Sequence, residues 1–222
     1  MPNPGAGPTA LDLARNKALQ LLRIKLRSTA ELRDRPARTL ARLDPADPHR
    51  GFVVGMHAFG LEECNRLDEA EVLARKALAG WDGPREEVLI ATKAGFSRPN
   101  GKWVPNARPQ HLRRSIEGSL RALGVDQLPL FLLHSNDPKS PFEDSLALLG
   151  ELQRAGVLGQ VGLCNTSIPE VRQAERHFRV AAIQNELSVI DRSGATDGLL
   201  ALARQLGIPF LAHRPLGGHA KT

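Results

Sequence analysis

The sequence predicts an α/β protein with a mostly parallel sheet, and the alternation of two kinds of segment leads to this prediction. From residue 51 onward, short apolar runs alternate with longer segments whose apolar residues recur at helical spacing. Strands that alternate with helices form right-handed β-α-β units, which place the strands in parallel. Six strands and five helices fit an open doubly wound sheet, and they equally fit most of an eight-stranded barrel. The pattern leaves both architectures open.

Six apolar runs are the predicted strands. The third run, LPLFLLH, is almost wholly apolar, as is typical of a strand buried on both faces. It ends on His134, and the polar residues SNDP follow at once. A histidine there either caps the strand on a nearby carbonyl or belongs to a site, because α/β folds place their chemistry at the carboxyl ends of strands. The runs are GFVVG (51–55), VLIATK (88–93), LPLFLLH (128–134), GQVGLC (159–164), VAAIQN (180–185) and IPFLAH (208–213).

Five helices are predicted between these runs, at 68–80, 111–124, 140–156, 167–178 and 196–207. Three of them end at a glycine, which is the residue type that most often follows a helix. These glycines are Gly80, Gly124 and residue 207. Two begin on a serine followed three residues later by glutamate, the pattern of a capping box. These predicted caps are Ser140 and Ser167.

Residues 1–50 do not join this alternation and are predicted to be a separate, largely helical segment before a domain at 51–222. Residues 11–35 show the pattern of one long basic amphipathic helix, and a stretch rich in proline and arginine follows at 35–50. The segment holds ten basic against five acidic residues, whereas the whole chain has a net charge of +6. A basic arm can bind nucleic acid through phosphates. We favour a solvated helix face, because no groove-reading motif accompanies the charge.

Composition bounds the class of protein. At 222 residues, with 41% hydrophobic and 24% charged, the chain suits one sizeable globular domain. Two cysteines exclude a disulfide scaffold, and no apolar stretch approaches a membrane span of about 20 residues. We therefore expect a cytoplasmic protein without a membrane segment, and the residues indicate no metal site. The chain contains no tyrosine.

Polar groups that packing does not require stand at the ends of four successive predicted strands. They are Lys93, His134, the pair Cys164 and Asn165, and Gln184. Because the carboxyl ends of parallel strands lie at one edge of a sheet, these side chains are predicted to converge on one pocket.

Residues from about 59 to 218 resemble the aldo-keto reductase family. The resemblance is carried by VLIATKAG, SIEGSLRALGVDQLPLFLLH, LQRAGVLGQVGLCN, AIQNELS and GIPFLAHRPLGG, in that order. It implies a (β/α)8 barrel that reduces aldehydes and ketones with NADPH. Here the barrel would be incomplete, with about six parallel strands, and the unpaired edges of those strands would invite self-association.

The resemblance also implies a role for each site residue. Lys93 matches the family's active-site lysine, and His134 matches the histidine that orients the carbonyl group of a small-molecule substrate. Asn165 and Gln184 match the residues that hold the nicotinamide carboxamide. His213 takes the place of an aromatic residue that stacks on the nicotinamide. Cys164, Pro215 and Leu216 complete the implied cofactor site, and Trp103, in the stretch 97–110, either rims the substrate mouth or lies on a solvent-facing loop.

The chain departs from the family at the residues that supply and support the proton. Where the family has an aspartate and a tyrosine in D-T-A-x-x-Y, the stretch VGMHAFG, aligned without a gap, has Val54 and Phe59. Phenylalanine keeps the ring but has no proton to donate. The resemblance therefore implies weak or absent reductase activity. The alternative is a non-catalytic remnant that binds a nucleotide or a protein partner.

Overall fold

The computed structural model describes residues 67–80, 88–188 and 197–214. The chain divides into two compact units, residues 1–82 and 83–222. The described part of the first unit is helix α1 (Leu67–Ala79), which confirms the helix predicted at 68–80. Gly80 ends it, and the Gly80 N–H donates to the carbonyls of Lys76 and Ala77 at 3.3 and 3.2 Å. The predicted helix at 11–35, the strand at 51–55 and the boundary after residue 50 lie outside the described residues.

The second unit contains the sheet and the helices that cover it. The α-helices among its described residues are α2 (Pro109–Leu123), α3 (Phe142–Arg154), α4 (Ile168–Ala174) and α5 (Leu199–Leu206). Its strands are β1 (Ala91–Ala94), β2 (Phe96–Ser97), β3 (Val104–Pro105), β4 (Leu128–Leu133), β5 (Leu158–Cys164), β6 (Val180–Glu186) and β7 (Phe210–His213).

Five strands form one parallel sheet in the order β1-β4-β5-β6-β7. Each strand pairs with the next long strand along the chain, as in a barrel, and the order never reverses as it does in a doubly wound sheet. The pairing is Ala94 with Leu133, Leu133 with Leu163, Cys164 with Gln184, and Glu186 with His213. The described strands thus confirm the predicted partial barrel. Self-association through unpaired strand edges stays a prediction.

Both faces of the interior strand β4 are buried, as its apolar sequence predicts. Leu130 and Leu132 cluster on one face with Cys164 and Ala182. Side chains alternate along a strand, so Phe131 and Leu133 face the other way, and each is only 1% exposed. A parallel sheet covered on both faces needs such a continuous apolar run.

Gly162 in β5 lies where the neighbouring strands leave no room for a side chain. A Cβ at this position would lie 2.6 Å from both the Ala182 carbonyl oxygen and Cδ2 of Leu132. The β5–β6 pairing also shifts register between Val161 and Leu163. Only glycine fits between the neighbouring strands here.

Helix ends follow the predicted signals at α2 and at the start of α4. Gly124 ends α2 in the left-handed conformation, at φ 68°. Ser167 and Glu170 form the predicted capping box of α4. That helix stops at Ala174, short of the predicted 178, and the chain then turns with the His177 N–H donating to the Ala174 carbonyl at 2.8 Å.

Three predicted helix starts differ from the structure, and the first is that of α2, which begins at Pro109 rather than at residue 111. Helix α3 begins at Phe142 with Pro141 as its N-cap, so Ser140 is not the cap. The reason is a turn just before it. The Asp137 carbonyl accepts the Ser140 N–H at 3.0 Å, and the Asp137 carboxylate accepts the Lys139 N–H at 2.9 Å.

Helix α5 likewise begins at Leu199 rather than at residue 196, because Gly198 before it is left-handed, at φ 84°. The strand predicted at 88–93 begins only at Ala91. In the ranges described, no helix combines the length and apolar character needed to cross a membrane.

Candidate active site

The carboxyl edge of the sheet brings three of the predicted site residues into contact. Nζ of Lys93 donates a hydrogen bond to Oε1 of Gln184 at 3.3 Å. Sγ of Cys164 lies 3.5 Å from the same oxygen. Strand register explains the convergence, since Cys164 pairs directly with Gln184 and Lys93 pairs with Leu132 on the same face as Cys164. Lys93 and Gln184 are half-buried, and Cys164 is buried.

His134 follows β4 immediately and continues its hydrogen-bond ladder. Its backbone N–H donates to the Ala94 carbonyl at 2.8 Å, and its own carbonyl accepts from Nδ2 of Asn165 at 2.9 Å. Asn165 has φ 48°, in the left-handed region that asparagine tolerates better than most residues. This conformation turns the chain out of β5, and the Asn165 side chain bridges to the end of β4.

A second asparagine holds this turn. Asn185 accepts the Thr166 N–H at 3.0 Å through Oδ1 and donates to the Thr166 carbonyl at 2.8 Å through Nδ2. The sequence analysis missed this residue, although it directly follows Gln184 at a strand end. Asn185 therefore fixes the backbone next to Asn165.

Two aromatic rings contact the imidazole of His134. The centroid of the Phe96 ring lies 4.9 Å from the imidazole centroid and that of the Trp103 ring 5.8 Å from it, both edge to face. Burial and the charges of Lys93 and His213 lower the pKa of His134 from 6.5 to about 4. At neutral pH the imidazole is therefore uncharged, with one nitrogen as a donor and the other as an acceptor.

The two rings come from a feature that the sequence did not predict. No strand is predicted in the stretch 97–110, but β3 pairs there with β2 as a short antiparallel ribbon. Gly95 precedes the ribbon, at φ 134°, and a Cβ there would lie 3.2 Å from the backbone nitrogen of His134. The Asn106 N–H donates to the Gly95 carbonyl at 2.8 Å, which closes the ribbon beside His134. Trp103 on this ribbon is 38% exposed.

His213 lies at the end of β7, opposite Glu186 of β6. Because side chains alternate along a strand, Glu186 shares a face with Gln184 two residues earlier. Glu186 is an acidic group at this edge that the sequence analysis missed, since the predicted strand stopped one residue before it. Val54, Phe59, Pro215 and Leu216 lie outside the described residues.

Comparison with known proteins identifies the class. A model of the aldo/keto reductase family matches residues 66–222. The chain therefore belongs to this family, whose members are generally NADP-dependent oxidoreductases. This confirms the resemblance inferred from the sequence motifs.

Curated relatives are similar over much of the chain. An aldo-keto reductase from Gibberella moniliformis is 35% identical over 195 residues, covering 77% of this chain and 59% of the relative. An uncharacterized oxidoreductase from Schizosaccharomyces pombe is 34% identical over 153 residues, covering 68% and 48%. The chain thus spans only about half to three fifths of the length of these relatives.

Solved structures share the fold. A glycerol dehydrogenase from Gluconobacter oxydans matches with a TM-score of 0.63 and 26% identity, over 76% of this chain and 55% of that one. An aldo-keto reductase from Klebsiella pneumoniae, solved in complex with NADPH, matches with a TM-score of 0.54 and 23% identity, over 68% and 50%. At that identity the second match shows the fold alone.

Proposed function

We propose that the protein reduces the carbonyl group of aldehydes or ketones with NADPH, at the carboxyl edge of its parallel sheet. One observation carries the proposal. Lys93, Cys164 and Gln184 share a hydrogen-bonded cluster on the face from which His134 continues β4. Family membership gives this cluster its chemical interpretation.

The amide side chains at this edge suit a nicotinamide carboxamide. Oε1 of Gln184 already accepts from Lys93 and Cys164, so its Nε2 is the group left to donate to a carboxamide oxygen. Nδ2 of Asn165 is held by the His134 carbonyl, which leaves Oδ1 to accept from a carboxamide nitrogen. Donor and acceptor are thereby oriented before a ligand binds. Cys164, His213, Pro215 and Leu216 are the other residues we assign to the cofactor.

NADPH, when bound, would supply the hydride. His134 would polarise the substrate carbonyl, because a neutral imidazole N–H can donate to the carbonyl oxygen. Lys93 adds positive charge on the same face of the sheet, which favours negative charge developing on that oxygen. Phe96 and Trp103 limit the access of water to the imidazole and form one wall of the substrate mouth.

The chain would be a slow reductase. It contains no tyrosine, and the resemblance to the family, read without a gap, puts Phe59 and Val54 where the proton donor and its supporting aspartate belong. General acid catalysis contributes about 10²–10⁴-fold to a rate. Lys93 would then act through its charge and by orienting Gln184 rather than by activating a phenol.

The missing acid favours a second candidate, a protein that binds the dinucleotide without turning it over. The amide groups of Asn165 and Gln184 would serve binding equally well, since neither takes part in proton transfer. Turnover separates the two candidates, and binding alone does not.

The test combines NADPH fluorescence with turnover of a reactive aldehyde, 4-nitrobenzaldehyde. The first candidate predicts saturable NADPH binding and slow NADPH oxidation that His134→Leu lowers at least tenfold. His177→Gln is the matched control, because His177 bonds Glu143 on the surface and should not affect the rate. Binding without turnover would support the second candidate, and absence of both would refute the two together.

A further inference from the structure

Arg98 lies between β2 and the tip of the ribbon, and its guanidinium stacks on Trp103. Cζ of Arg98 is 4.1 Å from the centroid of the Trp103 ring. A cation within about 6 Å of an aromatic centroid is attracted by the negative face of the ring. Nη2 of Arg98 also donates to the Gly101 carbonyl at 3.0 Å, so the guanidinium is anchored to the backbone of the tip.

The tip of the ribbon is a tight turn. Asn100 and Gly101 are both left-handed, at φ 53° and 77°. The Gly101 N–H donates to the Arg98 carbonyl at 3.2 Å, and the Lys102 N–H donates to the Pro99 carbonyl at 3.1 Å. The backbone and the Arg98 side chain together therefore restrict where Trp103 can lie.

Trp103 in turn contacts two rings of the candidate active site. Its ring is 5.4 Å from Phe96 and 5.8 Å from His134, and Phe96 and His134 are 4.9 Å apart, so the three rings contact one another edge to face. Edge-to-face contacts depend on ring orientation. A Trp103 free to rotate would lose both contacts and open the space beside the imidazole.

We propose that Arg98 is a positioning residue that holds Trp103 as a fixed apolar wall beside His134, and that this wall favours carbonyl substrates bearing a flat aromatic group. The exposed part of Trp103 offers such a group a ring to pack against. The substrate preference rests on the proposed function, whereas the positioning of Trp103 by Arg98 does not.

The test uses the intrinsic fluorescence of Trp103. The chain has two tryptophans, so Trp81→Phe leaves Trp103 as the one reporter in the full chain. In this background, Arg98→Met keeps the aliphatic stem and removes the cation, while Arg98→Lys keeps a cation without the planar group. Lys102→Met is the matched control, since it removes an exposed cation from the same ribbon. Two quenchers are used, acrylamide and 4-nitrobenzaldehyde, the second also reporting its own binding.

Arg98→Met should raise the acrylamide quenching constant of Trp103 and weaken saturable binding of 4-nitrobenzaldehyde about two- to fivefold, the loss expected for one exposed cation–π contact. Arg98→Lys should fall between, and Lys102→Met should match the parent. Unchanged acrylamide quenching in Arg98→Met, or an equal change in Lys102→Met, would overturn the positioning role. Changed acrylamide quenching without saturable aldehyde binding would overturn the substrate preference alone. Neither arm needs NADPH or turnover, so the result is separable from a failure of the proposed reductase function.

Discussion

Nζ of Lys93 lies 3.3 Å from Oε1 of Gln184, although 91 positions separate the two residues along the chain. The contact joins β1 to β6 on the face where Cys164 also reaches Gln184. A charged donor orients an amide more firmly than a neutral donor does. The lysine thus fixes which end of the Gln184 side chain is left for a ligand.

Stability should depend on pH through His134. Its pKa is about 4 in the folded protein and 6.5 ordinarily, so between these values the unfolded chain binds a proton that the folded chain does not. The free energy of unfolding should therefore rise with pH across this window, by up to about 1.4 kcal/mol per pH unit from this group, and be insensitive to it above. Urea unfolding at several pH values measures the slope. His134→Phe should flatten the pH dependence of the free energy of unfolding. An equal slope in both proteins would contradict a lowered pKa of His134 in the folded protein.

Gly162→Ala should destabilise the fold by about 1–3 kcal/mol, the usual cost of overpacking. The added Cβ meets the Ala182 carbonyl and the Leu132 side chain at 2.6 Å. Gly118→Ala in α2 is the control, because a Cβ there meets nothing within 4 Å, and alanine favours a helix by about 0.5–1 kcal/mol. The midpoint of urea unfolding should move in opposite directions. A shift in the same direction for both would show that strand spacing at Gly162 is not the constraint.

Ser167→Ala should cost about 1 kcal/mol, because it removes the N-cap of α4. The same change at Ser140 should be almost neutral, since Pro141 is the cap of α3 and Ser140 donates to the Asp137 carbonyl through its backbone N–H. Both serines are followed three residues later by glutamate, so the capping pattern alone predicts equal losses, whereas the structure predicts a loss only at Ser167. Equal losses in chemical denaturation would argue that Ser140 caps after all.

Phe59→Tyr combined with Val54→Asp should raise any residual reductase rate by about 10²–10⁴-fold, the contribution of a general acid. The gain requires that the pocket around Lys93 and His134 is otherwise assembled. NADPH oxidation with 4-nitrobenzaldehyde measures it, and Phe59→Tyr alone should give a smaller gain because the supporting carboxylate is absent. No increase in the double variant would show that the acid is not what limits the rate.

The sequence was sufficient to predict the parallel sheet and the residues that meet at its carboxyl edge. Alternating strands and helices predict parallel pairing, and parallel pairing places Lys93, Cys164 and Gln184 at one edge without knowledge of any distance. The contacts among them confirm that geometric argument. The strand-end position of His134 followed from the same reasoning.

The ribbon β2–β3 could not be predicted, because each strand has only two residues and shows no periodicity. Its position depends on long-range contacts, such as the Asn106 N–H to the Gly95 carbonyl and the packing of Trp103 on His134. The prediction that Ser140 caps α3 was wrong for a related reason. The turn formed by Asp137 competes with the serine for the start of the helix, and a capping pattern does not reveal such competition.

Calorimetric titration with NADPH tests the central claim most directly, using the full chain, Gln184→Leu and the control Gln160→Leu. Gln160 lies in β5 opposite Leu130, toward the amino end of the strand and away from Cys164 at its carboxyl end. We expect saturable binding by the full chain and by Gln160→Leu, with at least tenfold weaker binding by Gln184→Leu. Binding that Gln184→Leu leaves unchanged, or no binding by the full chain, would contradict a nicotinamide site at this edge.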